Sequence, residues 1–246
     1  MIKKLFFLIV MATTIISCQF TETMVLNEDG SGRMSIELNM DDFMAMGGSS
    51  MDSVATKIDT TVYMKELLKE KKDSISQLPK AEQDRLKKME NFNIHIKMDT
   101  ETSEMGFDVH TDFRTINEAN DLMNGITQAG NLMPSDDEIT SDDNQDEAPS
   151  DVIGVSYSFK NGVFKRDAYV KDEKLHKQQL DSLKSTEDFL TGMNYTLSYT
   201  FPRPVKNASN AEASLSLDGK TITVVAGFID YMKDPDLLDL EVELER

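Results

Sequence analysis

The alternation of apolar and polar positions divides this chain into short strands joined by helices. Thr23-Met24-Val25-Leu26 reads as a first strand, Asn27-Glu28-Asp29-Gly30-Ser31-Gly32 as a turn, and Met34, Ile36 and Leu38 as the apolar phase of a returning strand. A period of two with one apolar face is the pattern of a half-buried hairpin. Phe92, Ile94, Ile96 and Met98, set against Met105, Phe107, Val109 and Thr111, predict a second hairpin. In a third, Ile153, Val155, Tyr157 and Phe159 lead into Asn161-Gly162, and Phe164 to Val170 returns. Asn-Gly between alternating runs is a strong hairpin signal, because both residues accept the positive φ of a type I′ turn. Tyr195, Leu197 and Tyr199 alternate in the same way, up to Phe201-Pro202-Arg203-Pro204-Val205. Ala213, Leu215 and Leu217 precede the tight turn Asp218-Gly219, and Thr221, Thr223 and Val225 follow it. At the end, Leu238, Leu240, Val242 and Leu244 alternate with Asp239, Glu241, Glu243 and Glu245, so that strand needs a core on one face and water on the other.

Helical spacing lies between these runs. Residues 60–77 carry Val62, Leu67, Leu68 and Ile75 on one side, and Pro79 opens a short helix reaching Asn91. A further helix is predicted over 116–129, with Ile116, Ala119, Leu122, Met123 and Ile126 on one face. Another spans 172–190 around Leu175, Leu180, Leu183 and Leu190, and Phe228–Met232 is a short helical turn. Hairpins joined by helices predict an α+β fold, with antiparallel β-hairpins in sheets packed against several helices. Residues 134–151 contain eight acids and no base, and such a run cannot bury enough surface to order itself. They read as an acidic disordered loop between an α+β part over 18–133 and another over 152–246, the two forming either one domain or two. Residues 41–56 are rich in Met, Gly and Ser and read as a loop, with Met44, Met46 and Met51 offered to an apolar pocket or to packing.

Charge then narrows the function. With 26 basic against 44 acidic side chains the chain carries −18, which argues against nucleic acid as a partner, since little here neutralises phosphates. Only one cysteine is present, so neither an intramolecular disulfide nor a thiolate metal cluster is available. That residue, Cys18, follows Met1-Ile2-Lys3-Lys4, an uncharged run from Leu5 to Ile16, and Ser17. A basic start and a short apolar run make a signal peptide over residues 1–17, too short for a membrane-spanning helix. The segment Ile15-Ile16-Ser17-Cys18 resembles the bacterial lipoprotein signal, whose lipobox reads aliphatic, variable, small, Cys. The resemblance implies cleavage before Cys18, a diacylglyceryl group on its sulfur and an acyl chain, such as palmitate, on its new amine. Two or more chains, at about 0.8 kcal/mol per buried CH₂, hold stably where one does not. Without Lys3 and Lys4 the mature body carries −20, so the lipid rather than surface charge must hold it at a membrane. Gln19-Phe20-Thr21 lacks an aspartate next to the cysteine, and the outer membrane with the body facing the periplasm is the expected location.

The search for chemistry is short. No HExxH, Gly-x-Ser-x-Gly, phosphate-cradling loop or dinucleotide fingerprint occurs. The turn at residues 27–32 lacks the ligand offsets of an EF-hand. His95 and His110 fall on the polar phase of the second hairpin, where Asp99 or Asp112 could complete a zinc pair, although two solvent-facing histidines are the simpler reading. His176, among lysine and glutamine, reads as a solvated helix residue. No catalytic, cofactor-binding or metal-ligating residue is assigned, and no cofactor is expected. Asp52-Ser53-Val54, Asp59-Thr60-Thr61, Asp73-Ser74-Ile75 and Asp181-Ser182-Leu183 resemble the short O-glycosylation motif of exported Bacteroidota proteins, which makes Ser53, Thr60, Ser74 and Ser182 candidate acceptors.

The stretches ISCQFTETMVLNEDGSGRMSIE, YTLSYTFPRPVKNASNAEASLSLDGKTITV and LLDLEVELE are similar to a group of uncharacterised Bacteroidota lipoproteins of the flavobacterial type. The pattern Tyr-x-Phe-Pro-x-Pro-Val at Tyr199–Val205 also resembles a lipoprotein domain with actinobacterial members. Neither group brings an activity, so no catalytic residue carries over. The expected function is that of a non-enzymatic interaction or scaffold protein of the cell envelope, bound to the bilayer through Cys18 and to an envelope protein partner. The alternatives are a carrier or sensor of an apolar ligand and a hydrolase with an unrecognised site.

Overall fold

The structure is a computed structural model that describes residues 19–41, 44, 57–120, 152–184 and 187–246. The signal-like residues 1–17, Cys18, Met46, Met51, Ser53, the part of the predicted helix beyond residue 120 and the acidic run 134–151 lie outside the described residues. The chain is α+β and builds two facing sheets. In the larger, β1 (Gln19–Leu26) and β2 (Gly32–Asn39) form the first hairpin, and β4 (Asn93–Asp99) and β5 (Glu104–Phe113) form the second. Between them come β3 (Lys57–Tyr63) and the short helices α1 (Met64–Glu70), α2 (Lys72–Ile75) and α3 (Lys80–Lys88). A helical turn opens at residues 116–120.

After residue 151 come β6 (Ile153–Lys160) and β7 (Val163–Val170), then the helices α4 (Glu173–Leu183) and α5 (Glu187–Leu190). The strands β8 (Asn194–Thr200), β9 (Val205–Ala208), β10 (Ser214–Leu215) and β11 (Thr221–Gly227) follow. The chain closes with α6 (Phe228–Lys233), a 3₁₀ turn at Pro235–Leu238 and β12 (Leu240–Leu244). The larger sheet has the order β10-β11-β8-β1-β2-β5-β4-β3, and the smaller has β6-β7-β12-β9. Strands from both sides of residues 134–151 therefore share one sheet and meet where β1, already paired with β2, pairs with β8.

The three predicted hairpins form. The Asn161-Gly162 turn has φ of 55° and 76°, as a type I′ turn requires. Asp172 caps α4 by accepting a hydrogen bond from the Leu175 backbone N–H at 2.9 Å. The final strand keeps its expected pattern from Leu240 onward, with Leu240, Val242 and Leu244 buried against the core, while Leu238 is buried from the 3₁₀ turn before it.

Three expectations are corrected. Residues 60–63, expected to start a helix over 60–77, belong instead to the strand 57–63, because pairing with β4 satisfies their backbone and Thr60, Thr61 and Val62 are β-branched. The pair β1–β8 is parallel, with Glu22 opposite Leu197, in a fold otherwise expected from antiparallel hairpins. In β11 the buried phase is Ile222 and Val224, so Thr221, Thr223 and Val225 face outward, while Leu215 and Leu217 are exposed.

The core fills the space between the sheets. From the larger come Met24, Leu26, Met34, Leu197, Tyr199, Ile222 and Val224, and from the smaller Val155, Phe164, Ala168, Leu240 and Val242. Each such large side chain contributes about 1.5–3 kcal/mol by leaving water.

Candidate functional site

Two polar constellations stand out, one inside the core and one on the outer face of the larger sheet. The inner phase of β1 is Phe20, Glu22, Met24 and Leu26, which places one carboxylate between the sheets. The inner phase of β7 is Phe164, Arg166 and Ala168, which places one guanidinium opposite it. Neither the Glu22 nor the Arg166 side chain has any exposed surface, and Arg166 Nη2 lies 3.2 Å from Glu22 Oε2. Tyr157 Oη donates to Glu22 Oε1 at 2.5 Å, Tyr195 Oη donates to Oε2 at 2.9 Å, and Tyr199 Oη donates to Oε1. Arg166 Nη1 donates to the Leu238 carbonyl at 3.1 Å, Nη2 reaches Tyr231 Oη at 3.4 Å, and the guanidinium lies 5.8 Å from the Tyr231 ring centroid.

Electrostatics fix the protonation of this cluster. Burial pushes the Glu22 carboxyl up, but the Arg166 charge and the hydroxyls of Tyr157 and Tyr199 outweigh it and hold the group below its ordinary value. Burial, and next the Glu22 charge, push the hydroxyls of Tyr157, Tyr195 and Tyr199 well above the ordinary tyrosine range. Glu22 is thus a fully hydrogen-bonded carboxylate surrounded by protonated phenols, with no open face for a substrate. The cluster joins β1, β6, β7 and β8 and holds the two sheets in register.

The second constellation surrounds Gly106. Cross-strand pairing puts Gly106 between Asn39 of β2 and Lys97 of β4, and its missing side chain leaves a depression of about 180 Å³. Glu37, Asn39 and Asp41 wall one side, His95 and Lys97 the other, with Glu104 and Asp108 along β5. Asp41 is fixed by the Met105 backbone N–H at 2.7 Å and by Asn39 Nδ2 at 3.1 Å. Lys97 pairs with Glu104 at 3.0 Å. The walls are polar and the depression is open, which gives an apolar ligand little to bury against.

The histidines sit as follows. His95 and His110 share the outer face in diagonal positions, since His95 opposes Asp108 and His110 opposes Asn93. Each is taken by a carboxylate: His95 Nε2 lies 2.9 Å from Asp59 Oδ1, and His110 Nδ1 lies 2.6 Å from Asp108 Oδ2. Asp112 pairs instead with Arg33 at 2.7 Å, and Asp99 with Lys57 at 2.8 Å. Among the described residues no group of three His, Cys, Asp or Glu side chains is placed to hold a metal. His176 is half-buried rather than solvated, because its Nε2 hydrogen-bonds the Met232 carbonyl at 2.7 Å and ties α4 to α6. Of the glycosylation candidates, Thr60, Ser74 and Ser182 are exposed, and the Ser182 hydroxyl donates to the Gln179 carbonyl at 2.8 Å. The Glu22–Arg166 pair escaped the sequence reading, which began the first strand at Thr23. The signal that could have revealed it is one charge in each of two otherwise apolar phases, opposite in sign.

No family model matches the chain, and no curated protein matches it. Among solved structures, the folded domain of LppM from Mycobacterium tuberculosis, determined by NMR, aligns at 9% identity and a TM-score of 0.39 over 93% of this chain and 91% of that one. A likeness at that level carries no argument about function. Among the described residues no helix is long and apolar enough to cross a membrane.

Proposed function

We propose that this chain is a lipid-anchored envelope protein whose body is a non-enzymatic interaction or scaffold module. The anchor is an acylated Cys18, the membrane is the bacterial outer membrane, and the body faces the periplasm. The observation that carries the reading is the lipobox Ile15-Ile16-Ser17-Cys18 set directly before a strand that opens at Gln19. Support for a non-enzymatic body comes from how its reactive groups are used. Glu22 and its tyrosines are sealed between the sheets, while on an open sheet face His95 and His110 are hydrogen-bonded to Asp59 and Asp108 and Asp112 is paired with Arg33. The broad polar outer face of the larger sheet is the surface the body offers to an envelope partner.

The anchor is tested by growing cells with a labelled fatty acid. The wild-type chain incorporates label and fractionates with membranes, and Cys18→Ser does neither. Continued labelling of Cys18→Ser refutes the assignment. The scaffold role is tested by crosslinking intact envelopes, where a reproducible protein adduct that survives in wild type and is lost in Cys18→Ser supports it.

A further inference from the structure

The geometry points to a body that stands directly on the bilayer, with the strands of the larger sheet upright and the rim at Asn39, Gly106 and Asn194 against zwitterionic headgroups. This rests on the lipid-anchor reading above. The strand β1 begins at the residue after Cys18, and Gln19 is already in register with Asn39 on one side and Asn194 on the other. Consecutive Cα atoms are about 3.8 Å apart, so the acylated residue can lie no further than that from a paired strand. A flexible linker, which would let the body tumble, has no room here.

The position of β1 in the sheet restrains tilt as well. Three strands lie on one side of it and four on the other, so leaning either way drives one flank of the rim into the headgroups. The neighbours end near one level: Asn39 pairs with Gly106, Gly106 with Lys97, and Asn194 with Gly227. The turn at residues 100–103 projects further, beyond the pairs Met98–Met105 and Asp99–Glu104, and exposes Glu101 and Thr102. At the opposite end lie the turn after β1, the Asn161-Gly162 turn and Arg203, which pairs with Glu28 at 2.7 Å. Along the eight residues of β1 that end is roughly 25 Å from the rim, at about 3.4 Å per residue.

Charge selects the kind of bilayer. Among the described residues, the rim on the β2, β3, β4 and β5 side carries Asp41, Asp59, Asp99, Glu101 and Glu104 against Lys57 and Lys97. An anionic surface repels that excess, whereas zwitterionic headgroups do not. The depression around Gly106 then opens at headgroup level, and the Arg203 end faces away from the membrane.

Acylation occupies the sole native thiol, so one introduced cysteine can carry a fluorophore on the full, acylated chain. Thr102→Cys marks the rim and the exposed Lys160→Cys marks the far end. The labelled proteins are reconstituted in phosphatidylcholine vesicles containing a headgroup spin-labelled lipid. Quenching is expected to be severalfold stronger at position 102 than at position 160, and to weaken at position 102 when phosphatidylglycerol is added. A short Gly-Ser insert between Cys18 and Gln19 is expected to erase the difference while leaving vesicle binding intact. Equal quenching at both positions without the insert, or stronger quenching at 160, overturns the upright placement. A wild-type chain that is not acylated overturns the anchor reading and this inference together.

Discussion

Glu22 and Arg166 are charges removed from water, and what compensates them is a set of partners rather than the pair alone. Taking away one member leaves the other buried and unpaired, which costs about 3–5 kcal/mol. Glu22→Ala and Arg166→Ala are each expected to lower unfolding free energy by about that much in urea titrations. The double variant is expected to lose less than the sum, because the second deletion removes a charge already stranded. The pH dependence follows from the depressed Glu22 carboxyl. A group whose folded value lies below its ordinary 4.5 stabilises fully above that pH and loses its contribution as pH falls through the folded value. Thermal unfolding should therefore show the gap between wild type and Glu22→Gln narrowing below pH 4.5. A gap that stays constant to strongly acid pH would mean that Glu22 is not ionised in the folded protein.

At the level of elements, the β1–β2 hairpin depends on a close approach. A Cβ on Gly32 would stand 2.2 Å from the Val25 carbonyl oxygen and 2.5 Å from the Phe113 ring. Gly32→Ala is expected to cost about 1–3 kcal/mol by overpacking, measurable as a lower urea midpoint with an unchanged slope. Removing the Asp172 cap of α4 by Asp172→Ala is expected to cost about 1 kcal/mol. The Asn161-Gly162 turn and the alternation of β12 were legible in the chain, whereas the approach of Gly32 to Phe113 depends on a partner strand far along it. The strand β3 was not, because Val62, Leu67 and Leu68 also satisfy a helical stripe, and only the free edge of β4 settles which period wins.

For the whole molecule, the placement of β1 between β2 and β8 makes the two halves of the chain depend on each other. Residues 18–133 lack the strand that covers one side of β1 and the arginine that neutralises Glu22, while residues 152–246 lack β1 itself. Each half expressed alone is expected to show no cooperative unfolding transition, and co-expression of the two is expected to restore one. Independent cooperative melting of either half would show that the shared sheet is dispensable. The same placement bears on the proposed membrane role, since a strand held by neighbours on both sides transmits the position of its first residue to the entire sheet.

What the chain determined by itself is everything set by neighbours within about a dozen residues: three hairpins, their turns, the acidic balance and the signal-like start ahead of Cys18. Those features rest on periodicity and on turn chemistry, which need no distant partner. Tertiary structure alone decided the parallel β1–β8 pair, the capture of residues 57–63 by β4, and the meeting of Glu22 with Arg166 across 144 positions. Each depends on which distant segment completes a sheet or neutralises a charge. A single charge in an apolar phase looks like an interruption until the fold brings its opposite to face it.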